Sequence, residues 1–160
     1  MKKINWGKTT VTILICLTVG FLSSIPTRAS IANWYPTLEK PIFNPPNWLF
    51  GPVWTILYIL MGIACGIIWT RHQKNNTETK NALLVFAFQL ILNALWSLLF
   101  FGLKNPLLAF IEIILLWLVL YETIKSFNKI DRFAGNLLYP YLIWVSFATI
   151  LNGSIWYLNI

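Results

Sequence analysis

Gln89, Asn93 and Ser97 recur at intervals of four inside an otherwise apolar run. On a helix that spacing puts all three on one face. Trp54, Trp96, Trp117 and Trp144 stand in similarly apolar surroundings. Indole rings with a few amides and hydroxyls suit non-covalent recognition of a small molecule, the apolar walls giving affinity and the polar groups orientation. Conventional catalysis finds no support. The chain has no nucleophile–base constellation, no phosphate-cradling loop and no glycine-rich dinucleotide turn. Its one histidine, His72, falls at the charged end of an apolar run and reads as a surface loop residue. Cys16 and Cys65 lie in apolar segments without C-x-x-C spacing and read as buried thiols, so no metal site is expected and no cofactor is required.

The elements that must position these groups are membrane helices. Of the 160 residues, 58% are hydrophobic and 11% charged, with a mean hydropathy of +0.67. Soluble domains are less apolar and carry more than twice that charge. The net charge of +7 lies in short clusters between apolar runs, which fits membrane topology and not a nucleic-acid surface. A spanning helix needs about 20 apolar residues. Five spans are predicted, at about 8–25, 47–70, 82–102, 106–124 and 134–158. The fold class is therefore an all-α, single-domain bundle of five transmembrane helices over residues 1–160. "MKKINWGK" also resembles the basic start of a signal peptide, with Ala29 as a weak cleavage position. The apolar run exceeds a usual signal core, so a retained helix is expected.

Basic residues orient the bundle. Lys2, Lys3, Lys8, Arg71, Lys74, Lys80, Lys125, Lys129 and Arg132 fall on one side, and only Arg28, Lys40 and Lys104 on the other. The positive-inside rule then predicts a cytoplasmic amino terminus and an external carboxyl terminus. A stiff aromatic loop at 26–44 lies outside, long enough to serve as a lid. With a rise of about 1.5 Å per residue, Trp54 sits roughly 10–12 Å below the outer edge. Trp96 and Asn152 sit about 9 Å deep, Asn93 about 14 Å, Ala148 about 15 Å and Trp144 about 21 Å. Several polar and indole groups thus share the outer half of the bundle, beneath the loop. The polar stripe reads equally well as glue between helices. Trp6, Trp69 and Trp156, near span ends, read as interface anchors. Glu112 is the one carboxylate well inside a span, and a structural bond to a polar neighbour is its expected role.

"FNPPNWLFGPVWTILY" (43–58) crowds three prolines and two tryptophans at the start of the second span. Pro45 and Pro46 suit a helix start with Asn44 as its cap. Pro52 and Pro140 are expected to bend their helices and free backbone groups that must line a cavity or find neighbours. Gly62 and Gly66 form G-x-x-x-G, which permits close helix contact, within the bundle or across a homodimer.

These pieces, with "WYPTLEKPIFNPPNWLFGPVWTILY", "QLILNALWSLLFF", "LLAFIEIILLWL" and "LLYPYLIWVSFATILNGSIW" in order, are similar to the translocator protein family, also called tryptophan-rich sensory proteins or TspO/MBR. The resemblance runs from about Trp34 to the carboxyl terminus. It implies five packed helices, frequent dimers, and binding of tetrapyrroles such as protoporphyrin. Matched residue by residue, it implies a ligand site of Tyr35, Pro46, Trp48, Trp54, Asn93, Trp96, Trp144, Phe147 and Ala148. Trp54 and Trp144 match two tryptophans associated with light-dependent porphyrin breakdown. The family's cholesterol motif is not matched, because Gly153 and Tyr157 occupy its places and no basic residue follows Arg132. The expected function is a membrane tetrapyrrole-binding protein with a sensory or regulatory role. Its carboxylate-bearing ligand would meet Lys40, Arg28 or Lys104. A light-dependent porphyrin-degrading enzyme and a transporter of small amphipathic molecules are the alternatives.

Overall fold

The computed structural model describes residues 4–71 and 77–160. His72, Lys74 and the first two lysines therefore lie outside the described residues. Helices α1 (Trp6–Ile31), α2 (Asn47–Arg71), α3 (Thr77–Ser97), α4 (Pro106–Ile130), α5 (Arg132–Asn136) and α6 (Tyr139–Leu158) follow one another, with a single 3₁₀ turn at Tyr35–Thr37. Helix α3 runs on through a wider π-type segment, Leu98–Gly102, so that Leu103 N–H bonds to Leu98 O at 2.8 Å. No strand occurs among the described residues. Five helical spans are long and apolar enough to cross a membrane. With that composition, the chain is an integral, multi-pass membrane protein.

Helices α1 and α2 are joined back to back through the small residues of G-x-x-x-G. A Cβ on Gly66 would come within 2.5 Å of the Thr9 Cα, and one on Gly62 within 2.8 Å of the Ile13 backbone nitrogen. Thr12 Oγ1 donates to the buried Gly62 carbonyl at 2.7 Å. The motif is thus used inside the bundle, where the missing side chains let the two backbones meet. On the other side of α2, Met61, Ile67 and Ile68 join Leu116, Leu120, Ile124, Phe127 and Leu138 in the main core.

Three expectations are corrected. Helix α1 does not stop at residue 25. It continues through Pro26 to Ile31, so the lid connection is 32–46 and not 26–44. A proline removes one backbone bond, but here the last turns are held from outside. Thr27 Oγ1 lies 2.9 Å from Ser97 Oγ, and Ser30 Oγ donates to Phe101 O at 2.7 Å. Second, Pro140 does not bend a helix interior. It stands in the first turn of α6, where its missing N–H would have had no helical partner anyway. The predicted fifth span is two helices, α5 opening on Asp131, whose side chain accepts from Phe133 N and Ala134 N. Third, Asn44 does not cap α2, which begins three residues later at Asn47. Pro52 does fall within α2, leaving the Trp48 carbonyl without its usual i+4 donor.

Candidate functional site

A cavity of about 470 Å³ lies at the end of the bundle that carries the 32–46 connection. It has four helical walls, from α1, α2, α3 with its π segment, and α6. The size is within the range of small-molecule sites.

The floor is a hydrogen-bonded relay. Tyr58 O–H donates to Asn93 Oδ1, and Asn93 Nδ2 donates to Tyr141 Oη at 2.6 Å. A single buried amide thereby fixes two tyrosines from two other helices. Trp54 sits between them, its ring 5.7 Å from that of Tyr58 and 6.0 Å from that of Tyr141. The edge and offset geometries are those aromatic quadrupoles favour.

Higher up, Trp96 Nε1 donates to Asn152 Oδ1 at 2.9 Å, and Asn152 Nδ2 donates to Pro106 O at 2.8 Å. This locks the Trp96 indole with one face toward Phe100, at 5.4 Å. Trp144 meets Phe50 edge-on at 6.0 Å, and its buried indole N–H has no hydrogen-bond partner among the described residues. Buried donors are normally paired. Here one is left unpaired on a side chain that lines the cavity.

The lid is a short turn over the cavity. Tyr35 is 3% exposed, packs on Phe100 and Phe101, and donates its hydroxyl to Asn44 Oδ1 at 2.6 Å. Burial pushes the Tyr35 phenol up to about 12 although the Asn44 bond opposes the shift, so it stays a neutral donor. Lys40 caps this turn, giving Nζ bonds to Leu38 O at 2.6 Å and Tyr35 O at 2.9 Å.

Of the residues expected in the site, Tyr35, Trp54, Asn93, Trp96, Trp144 and Ala148 line the cavity together. Pro46 and Trp48 do not. Both are exposed, Trp48 to 72%, and neither is among the lining residues. Phe147 stands behind the wall, 5.5 Å from the ring of Trp144 and 6.3 Å from that of Phe43. Among the three cations expected at the mouth, Arg28 borders the cavity and Lys104 and Lys40 do not.

The Gln89–Asn93–Ser97 stripe divides. Ser97 reaches the cavity beside Asn93, whereas Gln89 is sealed in the core, with its amide N–H toward Met61 Sδ at 3.9 Å. Trp117 serves packing between α4 and α6, donating to Ser146 Oγ at 2.8 Å. Glu112 is 7% exposed, lies outside the cavity, and neither carboxylate oxygen has a partner among the described residues. The expected bond to a polar neighbour is not formed.

Tyr58, Tyr141 and the α1 wall are additions to the expected site. Tyr58 follows Trp54 by four residues and Tyr141 precedes Trp144 by three, spacings that stack side chains on one helix face. The α1 wall gives no such signal, because its lining residues are small or aliphatic apart from Phe21 and Arg28.

The TspO/MBR family model matches residues 12–158. The chain is 46% identical over 146 residues to the tryptophan-rich protein TspO of Chlorobaculum tepidum, covering 91% of each chain. It is 45% identical over 155 residues to the protein of the same name from Archaeoglobus fulgidus, covering 97% of this chain and 99% of the relative. With the tryptophan-rich sensory protein of Cereibacter sphaeroides it shares 39% identity over 127 residues, 79% of this chain and 77% of that one. A match that spans all five membrane helices and the connection over the cavity leaves one reading: the chain belongs to the TspO/MBR family.

Proposed function

We propose that this protein binds a flat, carboxylate-bearing tetrapyrrole of the porphyrin class in the cavity and acts as a membrane sensor or regulator of it. The reading is carried by one observation: Trp54, Trp96 and Trp144 wall a cavity of about 470 Å³ that has a single guanidinium, Arg28, at its rim among the described residues. Indole faces stack on a macrocycle. Arg28 makes no ion pair among the described residues and can meet a propionate. The name of the Cereibacter sphaeroides relative agrees with a sensory role. In the proposed orientation the amino terminus is cytoplasmic and the cavity lies in the outer half of the bilayer, as the distribution of lysine and arginine favours. The family resemblance makes a homodimer part of the proposal.

A second reading, breakdown of the bound tetrapyrrole under light, is favoured by the placement of Trp54 between Tyr58 and Tyr141. That arrangement would let the photoexcited porphyrin take an electron from the Trp54 indole, which a neighbouring phenol would then replace. Titrating protoporphyrin into the purified protein in the dark, with tryptophan quenching as readout, tests the binding. Saturable quenching that Trp54→Phe and Trp144→Phe weaken supports it, and its absence in the unaltered protein refutes it. Illumination of the saturated complex separates the two readings, since a sensor leaves the porphyrin absorption bands at the level of a detergent control.

A further inference from the structure

Gly51, Thr55, Tyr58, Gly62 and Gly66 succeed one another at helical spacings of three and four and so share one stripe of α2, the stripe that faces α1. The seam between the two helices changes along it. At Gly66 and Gly62 there is no room for a Cβ against the α1 backbone. At the level of Gly20 the α1 backbone rests on the Tyr58 ring, which wedges the helices apart. At Gly51 a Cβ would meet nothing within 4 Å, unlike at every other described glycine. The seam is closed by backbone contact at one end and open at the other.

The cavity lies behind the open end. Four of its lining residues are solvent- or lipid-exposed: Phe21 and Arg28 on α1, Gly51 and Thr55 on α2. All lining residues from α3, α6 and the connection are buried or half-buried. The lid side is shut by Tyr35, at 3% exposure and bonded to Asn44. The face on which the opening lies belongs to membrane-spanning helices, so what borders it is lipid.

We infer that the α1–α2 seam at Phe21, Arg28, Gly51 and Thr55 is the gate through which ligands pass between the bilayer and the cavity. The class it admits is a flat, apolar molecule that partitions into lipid and carries an acid group. Its ring would slide over Phe21 and Gly51. Its carboxylate would stay level with Arg28, whose guanidinium rests 5.0 Å from the Phe21 ring centroid in the last turn of α1. The ligand class rests on the function proposed above. The gate does not, because it is read from the seam alone.

Gly51→Phe fills the open end without meeting a neighbour at its Cβ. With protein in vesicles of phosphatidylcholine, stopped-flow quenching by protoporphyrin should show association and dissociation both slowed about tenfold, whereas mere damage to the cavity lining would speed dissociation. Asn44→Ala, which removes the acceptor of the Tyr35 hydroxyl from outside the cavity lining, should leave association at the unaltered rate. If rates instead follow Asn44→Ala and ignore Gly51→Phe, the gate is overturned. A second measurement needs no tetrapyrrole. In vesicles of dibrominated phosphatidylcholine, the Trp54 contribution, taken as the difference from Trp54→Phe, should be quenched, and Gly51→Phe should remove most of that quenching. Equal Trp54 quenching with and without Gly51→Phe overturns the gate. Failure of protoporphyrin to bind the unaltered protein would refute the ligand reading and leave the lipid measurement to decide the gate.

Discussion

The hydroxyl of Tyr35 donates to Oδ1 of Asn44 across nine residues, at 2.6 Å, and closes the connection between α1 and α2 into a loop lying over the cavity. The ring beneath is buried on Phe100 and Phe101, and the bond itself is part-buried. Tyr35→Phe keeps the packing and strands the Asn44 carbonyl oxygen. The expected loss is about 1 kcal/mol of local stability. Hydrogen exchange over residues 35–44 should quicken correspondingly, while amides of α4 stay as protected as before. Unchanged exchange in the loop would mean that aromatic packing alone holds it.

The same loop shows what could and could not be read from the chain. Hydropathy located all five spans, because length and apolarity suffice for that. Depth along a helix placed Trp54, Asn93, Trp96, Trp144 and Ala148 at compatible levels, since rise per residue is fixed. The direction of an individual side chain was harder to read. Trp48 matches the family motif and lies near the right level, yet it is 72% exposed. The end of α1 was misjudged at Pro26 for a different reason. Bonds from Thr27 and Ser30 to α3, 70 and 71 residues away, carry the helix past the proline, and no local pattern announces contacts of that range. Asn44 likewise suits a cap by residue type but is committed to Tyr35.

The two ends of the α1–α2 seam should respond oppositely to one added methyl. Gly66→Ala puts a Cβ 2.5 Å from the Thr9 Cα, and backbone there cannot swing aside. A loss of about 1–3 kcal/mol is expected from such overpacking. Gly51→Ala meets nothing and relieves glycine's entropic penalty in a helix, a gain of about 0.5–1 kcal/mol. Thermal unfolding in detergent, followed by circular dichroism, should move the midpoint down for the first and slightly up for the second. A neutral Gly66→Ala would contradict the close contact.

At the opposite end of the bundle, Arg71 at the end of α2 pairs with Asp131 between α4 and α5, Nη2 to Oδ2 at 2.7 Å. Burial by itself would raise the Asp131 carboxyl. The Arg71 hydrogen bond and charge, with the N–H groups of Ala134 and Phe133, outweigh it and hold the group below its usual range. A depressed carboxylate stabilises the fold above its unfolded value of about 3.9, and the contribution is lost as pH falls through the folded value. Asp131→Asn can still cap α5 but loses the charge. It should be about 1 kcal/mol less stable at pH 7. The gap should close as pH drops below about 4. A gap that persists in acid would assign the effect to the cap and not to the ion pair.

Arg28 sets the last expectation, because it is the cation that borders the cavity while Lys40 is spent on carbonyls of its own turn. An exposed guanidinium facing a carboxylate contributes about 0.2–1 kcal/mol, less as salt rises. Arg28→Gln should therefore weaken protoporphyrin binding by up to about fivefold at low salt, and by less at high salt. The dimethyl ester of the same porphyrin has no acid to offer, so its affinity should be equal for both proteins. That pairing separates charge recognition from damage to the wall, since a displaced α1 would weaken acid and ester alike. Equal weakening of both would place the effect of Arg28 in its packing on Phe21, and equal binding of the acid by both proteins would remove Arg28 from the site.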